Sequence, residues 1–311
     1  MVYSAAAPES APVAFATRDE RFMSMRLRLS LVAAAALVVT MPALAGPAYA
    51  RGHGGGGTPP PSSGFDISYP QCGATFPTGA LFGVVGVNGG RVYKPNPCLG
   101  TSTGPSELAW ADSTPSTQFY ANTADPGPAY SSYWTIAAWN NSPQTCASTD
   151  PNSTGCSFDY GWYAAADSFN NAVLAEEQVH GLAPSAAASA AASAPWWLDV
   201  ETGNSWQSQE SDYSGNLAVA YANDTAALEG AADYLKNTAG VVQVGFYSTG
   251  YQWTTVTGGT GALFESDPEW VAGFSSAKSA TNGCTATTGF AGGRIALTQY
   301  VANGFDADHQ C

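Results

Sequence analysis

The chain has 311 residues and a formal net charge of −14, and only 11% of its residues are charged. This acidic balance leaves no basic patch for a phosphate backbone, so nucleic acid is excluded as a partner. The few charges and the abundant Gly and Trp suit an extracellular protein that faces neutral polymers.

The N-terminal part of the sequence predicts export. Residues 1–24 show no periodic pattern and are predicted to be an unstructured extension. Residues 25–50 begin with a basic stretch, continue as a mostly apolar run and end in small residues, which is the order of a secretory signal peptide. Cleavage after Ala50 is favoured, and cleavage after Ala45 is the alternative. The apolar run is too short to span a bilayer.

The rest of the chain is predicted to be a linker and one folded domain. Residues 51–64 are rich in Gly and Pro, a composition typical of a linker. The domain is expected over residues 65–311, without a membrane span once the signal is removed. All six cysteines follow the cleavage site, which favours disulfides. Many pairings are possible; we predict nearest-neighbour pairing, namely Cys72–Cys98, Cys146–Cys156 and Cys284–Cys311. No C-x-x-C spacing occurs, so no metal site is expected, and no cofactor is implied.

Short apolar or β-branched runs alternate with helical stretches along residues 65–311. The helical stretches are residues 160–177 and 216–235, and in the second of them apolar residues recur at three- and four-residue spacing. This alternation predicts βα units and a parallel sheet. The predicted fold class is α/β, a single TIM-like (β/α) barrel with irregular or incomplete helices allowed in its second half. The predicted strands are residues 65–68, 82–88, 117–122, 196–201, 241–248, 270–274 and 295–300.

The fourth predicted strand ends in two carboxylates, Asp199 and Glu201. Side chains alternate along a strand, so both acids face the same way, with Cα atoms about 6.5–7 Å apart. Two acids on one rigid element allow a glycosidase to protonate a leaving oxygen and to stabilise a cationic sugar. The alternative is an acidic strand end that caps the next helix.

Further acids are expected at the same place. In a parallel barrel, functional groups gather at the C-terminal ends of the strands. Asp66 lies on the first strand, and Asp306 and Asp308 follow the last predicted strand. Because closure makes the first and last strands neighbours, Asp66 and Asp306 are predicted to meet near Asp199 and Glu201. Asp308 remains the alternative to Asp306.

Five motifs occur in order: Phe65-Asp66-Ile67-Ser68-Tyr69-Pro70-Gln71, Leu198-Asp199-Val200-Glu201, Gly245-Phe246-Tyr247-Ser248-Thr249, Glu269-Trp270-Val271-Ala272-Gly273-Phe274, and Gln299-Tyr300 with Phe305-Asp306. Together they resemble family 25 of the glycoside hydrolases, the lysozyme (muramidase) family of bacteria and phages. The second and third strands depart from the family pattern, which predicts a divergent, secreted branch of actinobacterial type.

The resemblance implies an enzyme that cleaves β-1,4 glycosidic bonds of peptidoglycan, outside the cell or at the cell wall. It implies a polysaccharide as the partner, and a monomer is expected. Glu201 would be the general acid, with a pKa raised by burial near Trp197 and by the charge of Asp199. Asp199 would stay ionised and would orient the substrate or stabilise the sugar cation. Asp66 and Asp306 would complete an acidic floor.

The remaining predictions concern substrate binding and the alternatives. Trp196 and Trp270 are assigned to the core, and Trp253 is a further candidate for stacking on sugar. Whether water or the substrate acetamido group attacks stays open. A non-catalytic carbohydrate-binding or cell-wall-associated barrel is the alternative function. The predicted substrate-binding residues are Tyr69, Gln71, Asn122, Trp206, Tyr247, Gln299 and Tyr300.

Overall fold

The computed structural model describes residues 63–100, 105–135, 139–210 and 216–311. Within them, eight strands hydrogen-bond in sequence order and close into a barrel, which confirms the predicted α/β barrel. The predicted signal peptide lies outside the described residues, and the first strand begins at Ser63, two residues before the predicted start of the domain. The strands are β1 (Ser63–Ile67), β2 (Gly83–Gly86), β3 (Thr117–Asn122), β4 (Pro195–Asp199), β5 (Gln243–Ser248), β6 (Glu269–Phe274), β7 (Ile295–Ala302) and β8 (Phe305–Gln310).

A hairpin of the last two strands closes the barrel. Strands β1 to β7 pair in parallel, but β8 runs antiparallel to both β7 and β1. The connecting residues Asn303 and Gly304 have φ values of 55° and 82°, and two successive left-handed residues make the tight turn that a hairpin favours. The prediction that Asp306 and Asp308 follow the last strand was wrong, because they lie on β8 itself.

Helices cover the outside of the barrel. The α-helices of the described residues are α1 (Glu107–Asp112), α2 (Thr154–His180), α3 (Pro184–Ser193), α4 (Leu217–Asp233), α5 (Gly250–Thr257) and α6 (Ala277–Gly283). Gly181 ends α2 in a left-handed conformation with φ 65°, and Pro184 begins a separate helix in the Ala/Ser-rich tract. Helix α4 continues into one π-helical turn, Tyr234–Thr238.

Helices α2 and α4 pack closely because each has a glycine at their contact. A Cβ atom at Gly161 would collide with the carbonyl group of Ala227, and one at Gly230 would collide with that of Phe158. Glycine permits this approach of two backbones. The helix pair contacts β3 and β4, so it supports the two strands that carry Asn122 and Asp199.

Large side chains fill the interior of the barrel. Trp197, Trp270 and Leu297 belong to one buried cluster, and Trp197 Nε1 donates to Gln118 Oε1 at 2.7 Å. Trp196 points the opposite way, into the layer between barrel and helices. The assignment of Trp196 and Trp270 to the core is confirmed, and the interior is a packed floor rather than a pore.

Three disulfides join neighbouring cysteines, as predicted. They link Cys72 with Cys98, Cys146 with Cys156, and Cys284 with Cys311. The last one ties the end of β8 to the segment after α6, so it secures the strand that closes the barrel. Among helices in the described part of the chain, none combines the length and apolar character needed to cross a bilayer.

Candidate active site

The C-terminal ends of the parallel strands form a mouth rich in carboxyl and amide groups. The four predicted acids gather here and influence one another. In addition to burial, the charge of Asp306 raises the pKa of both Asp66 and Glu201, and the charge of Glu201 raises the pKa of Asp199. The contributing side chains are Asp66 from β1, Asn122 from β3, Asp199 from β4, Glu201 just after β4, Tyr247 from β5, Gln299 from β7 and Asp306 from β8.

A hydrogen-bonded chain crosses the mouth from Asp66 to Glu201. Gln299 Nε2 donates to Asp66 Oδ2 at 2.9 Å. The hydroxyl of Tyr247 donates to Gln299 Oε1 at 2.8 Å, and the Tyr247 side chain also hydrogen-bonds Glu201. Because both ends of the Gln299 amide are used, its orientation is fixed. Tyr247 and Gln299 therefore couple two acids that are far apart in the sequence.

Strands β1 and β8 bring three carboxyl groups together. Asp66 is the register partner of Asp306, and Asp308 follows on the same face of β8. Burial and the charges of Asp308 and Asp306 raise the pKa of Asp66 well above its ordinary value. Burial also raises the pKa of Asp308, which accepts from Trp270 Nε1 at 2.8 Å. Carboxyl groups this close do not all ionise together at mild pH, so they retain a proton.

Asp199 is buried and held by amide donors from neighbouring segments. Asn122 Nδ2 donates to Asp199 Oδ2 at 2.6 Å, and the Asn204 side chain hydrogen-bonds the same carboxyl group. Burial and the charge of Glu201 nevertheless raise the pKa of Asp199 well above its ordinary value. This differs from the expectation that Asp199 stays ionised, because two buried neighbouring carboxyls titrate as a pair.

Glu201 is partly exposed at the mouth, just beyond the end of β4. Burial raises its pKa, the Gln252 side chain lowers it by hydrogen bonding, and the charge of Asp306 raises it. Strand β4 ends at Asp199, two residues earlier than predicted. The Val200 N–H still donates to the carbonyl of Tyr247 at 2.9 Å, so the extended course continues and the two acids remain neighbours.

A buried polar cluster anchors the loop that follows Glu201. Trp206 Nε1 donates to the carbonyl oxygen of Glu201 at 2.8 Å. Next to it, fully buried Gln207 donates through Nε2 to Asp125 Oδ2 and through its backbone N–H to Asp224 Oδ1, each at 3.0 Å. The loop therefore has a fixed base outside the barrel. This Gln207 cluster consists of Asp125, Asn152, Ser157, Gln207, Asn223 and Asp224.

Two predicted sugar-stacking residues are buried away from the mouth. Trp206 is fully buried and offers no ring face to a solute. Tyr300 lies on the outer face of β7, because side chains alternate and Gln299 takes the inner face; its hydroxyl pairs with Ser63 Oγ at 3.3 Å. The further candidate Trp253 is also fully buried. The structure corrects these three expectations.

Two other predicted binding residues serve the turn after β1. Gln71 Oε1 accepts from the Ser68 N–H at 3.0 Å and so caps the short 3-10 helix Tyr69–Gln71. Tyr69 packs against Gly90, and Lys94 Nζ lies 5.6 Å from the centroid of its ring. Of the seven predicted substrate-binding residues, the structure brings Asn122, Tyr247 and Gln299 to the acids by hydrogen bonds.

Sequence reasoning missed several groups that contact the acids. Asn204 and Gln252 lie in the segments that follow β4 and β5, where an amide residue soon after a strand end is the available signal. The Tyr120 hydroxyl hydrogen-bonds the Ser68 side chain, and burial together with the charge of Asp66 raises the pKa of Tyr120. Asp308 was held only as an alternative to Asp306; alternation along β8 explains why both face the interior.

The mouth is acidic, and its carboxyl groups are not paired with basic side chains among the described residues. Such a pocket favours a retained proton and the binding of a developing positive charge. Fold and site together define an α/β barrel with a protonatable acidic mouth.

No protein-family model and no curated protein matches the chain. Among solved structures, the chain is similar to a muramidase from Trichobolus zukalii, with 18% identity and a TM-score of 0.44 over 80% of this chain and 93% of that one. It is similar to a muramidase from Acremonium alcalophilum, with 17% identity, a TM-score of 0.43 and coverages of 80% and 93%. A family GH25 lysozyme from Aspergillus fumigatus gives 13% identity, a TM-score of 0.45 and coverages of 80% and 94%. At these values the similarities carry no conclusion about chemistry.

Proposed function

We propose that the protein is a glycoside hydrolase that cleaves β-1,4 bonds of peptidoglycan by carboxylate general acid catalysis. The observation that carries the proposal is the gathering of Asp66, Asp199, Glu201 and Asp306 from distant parts of the chain at one mouth. Glycoside hydrolysis needs a protonated carboxyl to release the leaving oxygen and a negative group beside the sugar cation. Two neighbouring acids that share a proton supply both.

Glu201 is the proposed general acid. It is partly exposed and so within reach of a substrate, and burial raises its pKa. Hydrogen bonds from Gln252 and Tyr247 lower the pKa of Glu201, so burial and the charge of Asp306 are what favour a proton on this group. That proton passes to the glycosidic oxygen as the bond to the sugar breaks.

Asp199 is the proposed partner of the sugar cation. Once the pair has lost one proton, the amide of Asn122 favours the negative charge on Asp199. The charged carboxylate then orients the acetamido group of the substrate or stabilises the oxocarbenium ion. Together with burial, the charge of Asp306 raises the pKa of Glu201 and so favours the proton on it, and a negative group beside the mouth also favours the cation.

The resemblance of the motifs to family 25 supports peptidoglycan as the substrate. Three disulfides are typical of a protein that folds in an oxidising compartment, which supports secretion. The net charge of −14 suits a polysaccharide partner better than a polyanion. We therefore infer a secreted monomer that acts at cell walls.

Digestion of purified peptidoglycan by the secreted chain tests the proposal. We expect new reducing ends and soluble fragments that end in N-acetylmuramic acid. Cellulose, which has β-1,4 links without acetamido groups, serves as the control polymer and is expected to stay intact. Sedimentation of the protein with peptidoglycan and no new reducing ends would instead support a non-catalytic binding module and overturn the enzyme.

A further inference from the structure

The loops after β2 and β3, together with helix α2, carry a cluster of stacked aromatic rings. Tyr93 stacks on Tyr133, with ring centroids 4.4 Å apart and planes 9° apart. Trp134 stacks on Tyr160 at 4.9 Å and 23°, and Trp139 meets Trp134 edge-on at 5.5 Å. These five residues are called the aromatic ledge below. They present ring faces rather than charged groups.

The ledge has a buried base and an open outer edge. Tyr160 is buried, whereas Tyr133 is 50% exposed; Trp134 and Trp139 are partly exposed. Since Tyr93 covers one face of Tyr133, the exposed area of Tyr133 belongs to its opposite face and edge. A group of exposed aromatic rings on one surface is typical of a binding site.

The rings are held in place before any ligand binds. Tyr93 has a φ of 58°, a left-handed backbone that bulky residues rarely adopt, and its hydroxyl donates to the carbonyl of Tyr160 at 3.3 Å. Trp134 Nε1 donates to the carbonyl of Pro151 at 2.9 Å. The disulfide between Cys146 and Cys156 closes the same region. Preorganisation of this kind reduces the entropy lost on binding.

The ledge is continuous with the acidic mouth. The side chain of Asn122 donates to Asp199, and its backbone N–H donates to Asn88 Oδ1 at 3.0 Å. Two residues further along, Ala124 packs in the same cluster as Tyr160. The loops after β2 and β3 thus connect the mouth with the ledge.

We propose that the aromatic ledge binds sugar rings of the glycan strand whose cleavage site lies at the mouth; the identity of that glycan rests on the proposed function. The apolar C–H face of a pyranose packs on an aromatic ring, and the ring hydroxyls remain free to bond at its rim. The five ledge residues carry no charge, and the acidic chain repels polyanions. These properties favour an extended, uncharged sugar backbone as the occupant.

Binding to purified peptidoglycan tests this proposal, with the Glu201→Gln chain used so that turnover is slow during the measurement. Tyr133→Ala in that background is expected to bind about tenfold more weakly, the size of one stacking contact. Tyr133→Phe keeps the ring and should keep the affinity. Val242→Ala is the control, since Val242 is 67% exposed before β5 at the opposite end of the barrel.

The outcomes separate the ledge from the proposed function. Weaker binding by Tyr133→Ala supports glycan binding by the ledge even if the parent chain releases no reducing ends. The absence of reducing ends would refute only the proposed hydrolase activity. Unchanged binding by Tyr133→Ala overturns the ledge while hydrolysis by the parent chain still stands. Dissociation of a dimer by Tyr133→Ala, with glycan binding unchanged, would assign the ledge to a second copy and overturn the proposal.

Discussion

The charge on Asp306 helps to hold the proton on Glu201. Burial raises the pKa of Glu201, and the negative charge of Asp306 raises it further. Asp306→Asn removes that charge, so the pKa of Glu201 should fall and the enzyme should lose its protonated acid at a lower pH. The measurement is the pH profile of kcat/KM, and the expected change is a basic limb displaced toward acid.

A charge-matched control separates this local effect from a general one. Glu265 is exposed and precedes β6 at the end of the barrel opposite the mouth. Glu265→Gln removes one negative charge there and should leave the pH profile unchanged. A basic limb that stays in place in Asp306→Asn would refute the coupling between Asp306 and Glu201.

At the level of residues, strand alternation and barrel closure were enough to predict the acids. Asp199 and Glu201 follow from two-residue spacing, and Asp66 meets Asp306 because β1 and β8 are paired. The aromatic binding residues were harder to predict, because ring exposure depends on which face of the strand or loop is covered. Trp206 shows this: its ring is fully buried while its Nε1 anchors Glu201.

At the level of elements, the Gln207 cluster joins three separate parts of the fold. Gln207 Oε1 accepts from Asn152 and Asn223, and Gln207 Nε2 donates to Asp125. Gln207→Leu would remove three hydrogen bonds from these buried groups and should cost about 2–4 kcal/mol of unfolding free energy. Chemical denaturation measures the loss, and kcat should fall as well, because the loop after Glu201 loses its base.

Gln209→Leu is the matched control for this change. Gln209 is exposed and makes one described side-chain bond, from Nε2 to the carbonyl of Thr202 at 3.1 Å. Its loss should cost less than about 1 kcal/mol. Equal destabilisation by Gln207→Leu and Gln209→Leu would contradict the role of the cluster.

Among the elements, β8 was the one strand that the sequence reading did not recognise. Asn303-Gly304 is a strong signal for a hairpin turn, and the alternation of Asp306 and Asp308 fits a strand. Repeated βα units favoured a parallel connection, and charged residues reduced the apolar signal of the strand. The Gln207 cluster was not predictable either, because it forms only where α2, α4 and two loops meet.

At the level of the whole molecule, buried acids outside the mouth set the response to pH. Burial raises the pKa of Asp125 to about 6, of Glu107 to about 7 and of Asp224 to about 8. In the unfolded chain such groups lose their protons near pH 4, at about their ordinary pKa. Between about pH 4 and pH 8 the folded chain therefore binds more protons, and stability falls as pH rises. The midpoint of thermal unfolding should decrease from pH 5 to pH 8.5.

Glu107→Gln isolates the contribution of one buried acid to this fall in stability with rising pH. Glu107 is buried and its Oε2 accepts from Asn96 Nδ2 at 2.6 Å, a bond that a glutamine oxygen can keep. The variant should show a flatter dependence of the unfolding midpoint on pH and a higher midpoint than the parent at pH 8.5. A midpoint that rises with pH in the parent chain would contradict this reading.

The rate of reducing-end release from purified peptidoglycan, compared between the parent chain and Glu201→Gln, tests the central claim most directly. Loss of the general acid should lower that rate by about 10²–10⁴-fold while the unfolding midpoint changes little, and Glu265→Gln should keep the parent rate. Equal rates for the parent and Glu201→Gln would show that no proton from this mouth reaches the glycosidic bond.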